Sequence, residues 1–186
     1  MTTDPNQTIL RLRKKHAPGR HALPDANDGA RIAGLQSMRN AVTSAVIVTI
    51  LFAIVWAMLS TALARVFPWG SLLLGLVIGF AVRHAGRGFD WRFPTIAAVS
   101  TFVGAIVGNI VVGAAYAAQE LGTGTFTVLR KVTIYTWPVF FDEVMTAADF
   151  VYALFGAGIA AFFATRRLSR RQYHAVRLWK EQQEND

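Results

Sequence analysis

The fold is decided by residues 41–64, AVTSAVIVTILFAIVWAMLSTALA, which contain no charged side chain. A helix of a soluble protein has an apolar stripe backed by a charged face. This stretch has no charged face at any angle, and it exceeds the roughly 20 apolar residues that a helix needs to cross a bilayer. The stretch therefore favours a transmembrane helix over a helix of a soluble bundle.

Three further uncharged runs follow, at residues 66–82, 93–119 and 150–165. The first and last of these are short, and the last spans a bilayer only if Asp149 or Arg166 lies at an interface, where polar ends of side chains can reach outward. Charged residues make up 16% of the chain, against roughly 25% in globular proteins. We therefore predict an all-α membrane protein, a four-transmembrane-helix bundle with spans at about 40–65, 67–83, 93–119 and 149–166.

The Lys and Arg residues predict the orientation of these spans, because cytoplasmic loops of membrane proteins are enriched in positive charge. With four spans, 16 of the 19 Lys and Arg residues fall on one side, in both terminal segments and the 83–92 turn. Only Arg65, Arg130 and Lys131 fall on the other side. Both termini should therefore be cytoplasmic, and the count opposes a three-span alternative with termini on opposite faces.

The chain divides into three parts on this view. Residues 1–27 read as a flexible cytoplasmic arm, 28–167 as the membrane domain and 168–186 as a basic cytoplasmic tail. Asp28 is a candidate N-cap of a helix that continues unbroken into Ala41.

Small residues recur inside the spans at the spacing that brings membrane helices together. The second span carries a GxxxG motif, the third carries another that a serine extends, and the fourth carries an alanine ladder. We expect the second and third spans to lie antiparallel with their glycine faces in contact. The predicted packing residues are Gly75, Gly79, Ser100, Gly104, Gly108, Asn109, Ala153 and Ala157.

The arginines beside the spans have two interpretations. They can act as topology signals, or they can contact the phosphates of anionic lipid, which is enriched in the cytoplasmic leaflet. Nucleic-acid binding is disfavoured, because the charges adjoin membrane spans. The predicted partners are the lipid bilayer, including anionic phospholipid, and other membrane proteins or a second copy of the chain. The predicted headgroup contacts are Arg83, Arg87, Arg92, Arg166, Arg167, Arg170 and Arg171.

Between the third and fourth spans, residues 123–147 are apolar but charged at intervals. This pattern predicts an amphipathic segment that lies along the outer interface or folds partly into the bundle, with a kink at Pro138. Carboxylates that fall nearby could gather a divalent ion, but such groups more often pair with arginine or face water. These carboxylates belong to Glu120, Asp142, Glu143 and Asp149.

Residues 75–100 (GLVIGFAVRHAGRGFDWRFPTIAAVS) and 149–167 (DFVYALFGAGIAAFFATRR) carry a resemblance. They look like a diffuse group of uncharacterised small bacterial inner-membrane proteins, in which a glycine-containing span leads into a basic, glycine-rich turn. The resemblance covers about residues 70–167. It implies a location in the bacterial inner membrane and carries no activity.

No catalytic, cofactor or metal site is predicted. The chain lacks cysteine, the HExxH and GxSxG motifs, and any ionisable residue securely at mid-membrane. The expected function is non-enzymatic, that of an accessory or scaffold subunit packing against a larger inner-membrane assembly. The alternative is a small oligomeric channel or transporter, with Asn109 at mid-span as its polar element.

Overall fold

A computed structural model of the chain describes residues 25–185, which fold into α-helices with no β-strand among them. Most of the predicted flexible arm lies outside the described residues, but its last residues, from Asp25, begin the first helix. The helices are α1 (Ala26–Gly34), α2 (Met38–Leu63), α3 (Gly70–Gly86), α4 (Arg92–Glu120), α5 (Thr125–Lys131), α6 (Trp137–Val144), α7 (Ala147–Ala164) and α8 (Arg170–Asn185).

Three helical stretches are long and apolar enough to cross a membrane. They are Ala26–Leu63, whose apolar part is α2, then Arg92–Glu120 and Ala147–Ala164. The helix Gly70–Gly86 is apolar as well but has 17 residues, one fewer than α7. The predicted all-α, membrane-compatible architecture is confirmed to this extent, whereas helix length alone does not give a fourth span.

The N-terminal part of the structure differs from the continuous helix expected from Asp28 to Ala41. The carboxylate of Asp25, not that of Asp28, caps α1 by accepting a hydrogen bond from the Asn27 amide. Residues 35–37 then interrupt the helix, because Ser37 is extended and its hydroxyl accepts from the Asn40 amide at 3.3 Å. A serine hydroxyl in this position satisfies a free amide at a helix start, so it begins a new helix.

The four apolar helices form a bundle whose interior consists mainly of small side chains. Helices α3 and α7 run parallel, as do α2 and α4, and the two pairs are antiparallel to each other. The largest fully buried apolar side chains are Leu74, Ile78 and Val82 of α3, surrounded by buried alanines. Helix α3 therefore lies at the centre of the packing although it is the shortest of the four.

One end of the bundle, which we call the arginine end, carries α1, α8 and the turn between α3 and α4. Helices α1 and α8 pack against each other, and backbone hydrogen bonds join their flanking segments to the turn. The Ser37 amide donates to the Gly86 carbonyl at 2.9 Å, and the Arg166 amide donates to the Gly88 carbonyl at 3.0 Å.

The opposite end carries α5 and α6, which pack against α4. The expected kink at Pro138 is wrong, because the proline lies in the first turn of α6. A proline is well placed there, since its missing amide would be unsatisfied in any helix start. Between the two short helices, Ile134 and Tyr135 are 83% and 89% exposed, so this end presents a large apolar surface.

Candidate functional site

The glycines of α3 contact α7 rather than α4. A Cβ atom at Gly75 would overlap the Gly156 carbonyl, and one at Gly79 would lie 2.9 Å from the Ala160 carbonyl oxygen. Gly75 and Gly79 therefore match Gly156 and Ala160 along two parallel helices. The expectation that the glycine faces of α3 and α4 meet is wrong, because α7 supplies the small-residue partner that the close approach requires.

The glycines of α4 contact α2. A Cβ atom at Gly104 would lie 2.9 Å from the Thr49 methyl carbon, and one at Gly108 would lie 3.1 Å from the Trp56 ring. Ser100 is half-buried and lines a shallow groove between the same two helices. On α7, Ala153 and Ala157 are buried in the bundle.

The turn between α3 and α4 is shaped around Phe93. Cβ atoms at Gly86 and Gly88 would both lie too close to its ring, which is 3% exposed. Arg87 between them adopts the left-handed conformation, with φ of 51°, and ends α3. The two glycines thus leave room for an aromatic ring, a role that the sequence pattern of glycine and arginine does not indicate.

The seven arginines predicted to contact headgroups all lie at the arginine end, on the turn, at the end of α7 or at the start of α8. Arg166 is half-buried between the turn and α8. Within residues 25–185, one of the seven, Arg171, forms an ion pair, with Asp28 of α1 at 3.7 Å. The other six form no ion pair in this part of the chain.

Two clefts flank α8. The first, of about 410 Å³, lies between α1 and α8 and is called here the α1–α8 groove. The second, of about 680 Å³, lies between α8 and the turn. The groove is lined by Asp28, Arg31, Ile32, Leu35, Arg166, Ser169, Arg171, Gln172 and Ala175.

The charges of the two clefts differ. The larger cleft balances Arg166, Arg177 and Lys180 with three carboxylates, those of Asp90, Glu181 and Glu184. In it, Arg177 donates to Glu181 at 2.7 Å, and this hydrogen bond raises the pKa of the guanidinium. The α1–α8 groove instead holds three arginines against one carboxylate.

Several buried polar atoms in the bundle have no hydrogen-bond partner within the described residues. They are the Nε1 of Trp56, the Oγ of Ser60, the Oγ1 of Thr101 and the Nδ2 of Asn109. The side chain of Asn109, a predicted packing residue, therefore donates no interhelical hydrogen bond among residues 25–185. The sequence gives no signal for Trp56, because an aromatic residue in an apolar run reads as ordinary packing.

The carboxylates at the α5–α6 end belong to no cluster of three potential metal ligands within residues 25–185. No group of three His, Cys, Asp or Glu side chains with a suitable arrangement occurs in residues 25–185. Asp149 is 4% exposed and completes the N-terminal cap of α7, accepting from the Thr146 amide at 2.8 Å and its hydroxyl at 2.6 Å. Its charge therefore has a structural explanation.

The arginine end is the most distinctive charged surface of the described chain. Comparison with protein-family models, with curated proteins and with solved structures gives no match.

Proposed function

We propose that the chain is a non-enzymatic integral membrane protein with four spans, acting as an accessory or scaffold subunit within a larger inner-membrane assembly. The observation that carries this proposal is the inverted distribution of side-chain size. Small residues fill much of the bundle interior, while many large apolar side chains of α2 and α7, such as Leu51, Phe155 and Phe162, point outward. Water would make such an exterior unfavourable, whereas hydrocarbon makes it ordinary.

The packing of α3 supports its assignment as a span. Its 17 residues differ from the 18 of α7 by a single residue, or about 1.5 Å of helix rise. The two helices run parallel with Gly75 beside Gly156, so they overlap over most of their length, with α7 beginning about one turn earlier. A bilayer adapts to a mismatch of this size by local thinning at modest cost.

The positive charges support an orientation with both termini in the cytoplasm. Arginines of α1, α8 and the 83–92 turn all gather at one end of the bundle, whereas Arg130 and Lys131 belong to α5 at the other. The exposed apolar residues of α5 and α6 suit the outer interface of the bilayer. We place these two helices there, with the inner membrane of a bacterium as the location.

Because the chain contains no cysteine, single cysteines can test this topology without background labelling. We expect an impermeant maleimide to label Thr133→Cys in intact spheroplasts, and to label Thr3→Cys and Gln182→Cys only after lysis. Labelling of one terminal cysteine but not the other in intact spheroplasts would refute four spans. Recovery of the protein in the supernatant without detergent would refute the membrane assignment.

The scaffold role requires a surface for a neighbouring helix, and α7 offers one. Its outward face forms a groove of about 520 Å³ at Gly158, where an added Cβ atom meets no atom within 4 Å. We expect Gly158→Leu to leave the bundle folded but to abolish a stoichiometric complex seen by native mass spectrometry in mild detergent. Val55→Leu, on the exposed face of α2, is the matched control. A solitary monomer in the unsubstituted protein would contradict the scaffold role.

The alternative, an oligomeric channel, takes its support from Asn109, whose Nδ2 is buried without a partner among the described residues. Proteoliposome flux that disappears with Asn109→Leu would favour it. The close Gly–Ala packing of the bundle leaves the scaffold role as the better supported proposal.

A further inference from the structure

We infer that the α1–α8 groove is a specific binding site for the phosphate of an anionic phospholipid, with Arg31, Arg166 and Arg171 as its ligands. This inference rests on the proposed membrane location and deepens it. The inference specifies one site and one lipid class. The positive-inside asymmetry alone predicts only a diffuse attraction between the basic residues and anionic lipid.

The charge of the groove is the first argument. Asp28 is the one carboxylate among its lining residues, and it pairs with Arg171 at 3.7 Å through half-exposed side chains. Arg31 and Arg166 have no ion-pair partner among residues 25–185. The groove therefore carries a net charge of about +2 from its lining residues. The neighbouring cleft, which shares Arg166 with the groove, has as many carboxylates as cations. Guanidinium groups match phosphate geometry through paired N–H donors.

The position of Arg166 is the second argument. Arg166 is half-buried, and its backbone amide donates a hydrogen bond to the Gly88 carbonyl. This hydrogen bond fixes the position of the backbone from which the side chain extends. Arg31 comes from α1 and Arg171 from α8, on the two walls of the groove. Three arginines from three segments of the chain therefore line one cavity. Arginines scattered over a surface would not share a binding site in this way.

The apolar side of the groove is the third argument and favours a lipid over a soluble phosphate. Ile32 and Leu35 line the groove, and Leu35 is half-exposed. The chain then enters α2, where Met38 and Val42 continue an exposed apolar path along the bundle. A lipid whose headgroup is bound by the arginines can therefore extend its acyl chains along α2 into the bilayer.

Charge-removing variants test this site in nanodiscs. The protein is inserted into phosphatidylcholine discs containing phosphatidylglycerol, extracted mildly and examined for retained lipid by native mass spectrometry. We expect Arg31→Gln with Arg166→Gln to lower phosphatidylglycerol retention roughly 10- to 30-fold, since each arginine near an anionic lipid contributes about fivefold. The matched control, Arg177→Gln with Lys180→Gln, removes the same charge from the balanced cleft and should change retention less than twofold.

A variant that is expected to increase lipid retention distinguishes loss of the site from misfolding of the double variant. Asp28→Asn removes the carboxylate of the groove and should raise retention about threefold, while a damaged fold would lower it. Equal losses in the groove and control variants would overturn the inference, as would no retention in the unsubstituted protein. Displacement of the lipid by inorganic phosphate would overturn the choice of a lipid and indicate a soluble phosphate compound. Failure to enter the discs at all would instead refute the membrane location.

Discussion

Gly75 illustrates how a missing side chain determines which helices touch. Its α-carbon lies against the backbone of Gly156, so any added atom must separate α3 from α7. Gly158, two residues further along α7, faces outward with open space around it. Two glycines in similar apolar surroundings thus have opposite structural roles.

We predict that Gly75→Leu destabilises the bundle by about 1–3 kcal/mol, the usual cost of overpacking a tight interface. Gly158→Leu should cost less than about 0.5 kcal/mol, because the added side chain enters open space. Unfolding by sodium dodecyl sulfate in mixed micelles would measure both. Equal destabilisation by the two substitutions would contradict the parallel pairing of α3 and α7.

At Arg87 the situation is reversed, because a residue with a side chain occupies a backbone conformation that favours glycine. We predict that Arg87→Gly raises the stability by about 1 kcal/mol, because an L-residue at φ of 51° carries a steric cost that glycine lacks. Thermal unfolding in detergent would show the gain. Arg83→Gly is the control, since it also removes an arginine but lies within α3, where glycine costs about 1 kcal/mol. A loss of stability in both variants would contradict the assignment.

The turn between α3 and α4 acts as a unit built around one ring. Gly86 and Gly88 approach Phe93 on α4 too closely for any side chain. The turn also receives hydrogen bonds from both neighbouring segments, through the Ser37 and Arg166 amides. It is therefore a packed structural element.

A double-mutant cycle tests this role. We predict that Gly88→Ala costs about 1–3 kcal/mol alone, because its methyl group meets the Phe93 ring. In a Phe93→Ala background the same substitution should cost much less, giving a coupling energy of at least about 0.5 kcal/mol in unfolding measurements. Additive effects would show that the glycine and the ring do not share a site.

The sequence predicts some elements of the fold well and others poorly, for physical reasons. The long uncharged stretches of the sequence reveal α2 and α4 directly, since a surface helix of a soluble protein carries a polar or charged face. Partner choice is harder, because a GxxxG motif shows that a helix approaches another closely without showing which one. Ser37 is also difficult to foresee as a helix start, because serine is tolerated inside helices and its capping depends on the local backbone.

The candidate site was predicted only in part. Arg166 and Arg171 are marked by their position beside a span, but Arg31 lies in a segment that reads as a continuation of α2. Only the interruption at residues 35–37 turns α1 back onto α8 and brings Arg31 to the same cavity. The groove is thus a product of tertiary structure that a linear charge count cannot show.

The molecule as a whole consists of a bundle and a separate pair formed by α1 and α8. These two helices pack against each other and make no comparable contact with the other described helices. At their crossing, a Cβ atom at Gly29 would overlap the Ala175 carbonyl. The pair is therefore coupled to the bundle mainly through the hydrogen-bonded segments at the arginine end.

We predict that Gly29→Leu separates α1 from α8 but leaves the bundle intact. Limited proteolysis should then cleave near residues 26–36 several-fold faster, while the midpoint of thermal unfolding of the bundle changes little. Gly34→Leu, where an added Cβ atom meets nothing within 4 Å, is the matched control. A large fall in the unfolding midpoint with Gly29→Leu would show that the pair and the bundle unfold together.

The parallel pairing of α3 with α7 has a consequence for synthesis on the ribosome. Gly75 is made about 80 residues before Gly156, its partner in the finished bundle. At about 5–20 residues per second, this gap lasts roughly 4–16 s. During that interval the nascent α3 lacks α7, the helix with which it makes its most extensive contact in the finished bundle.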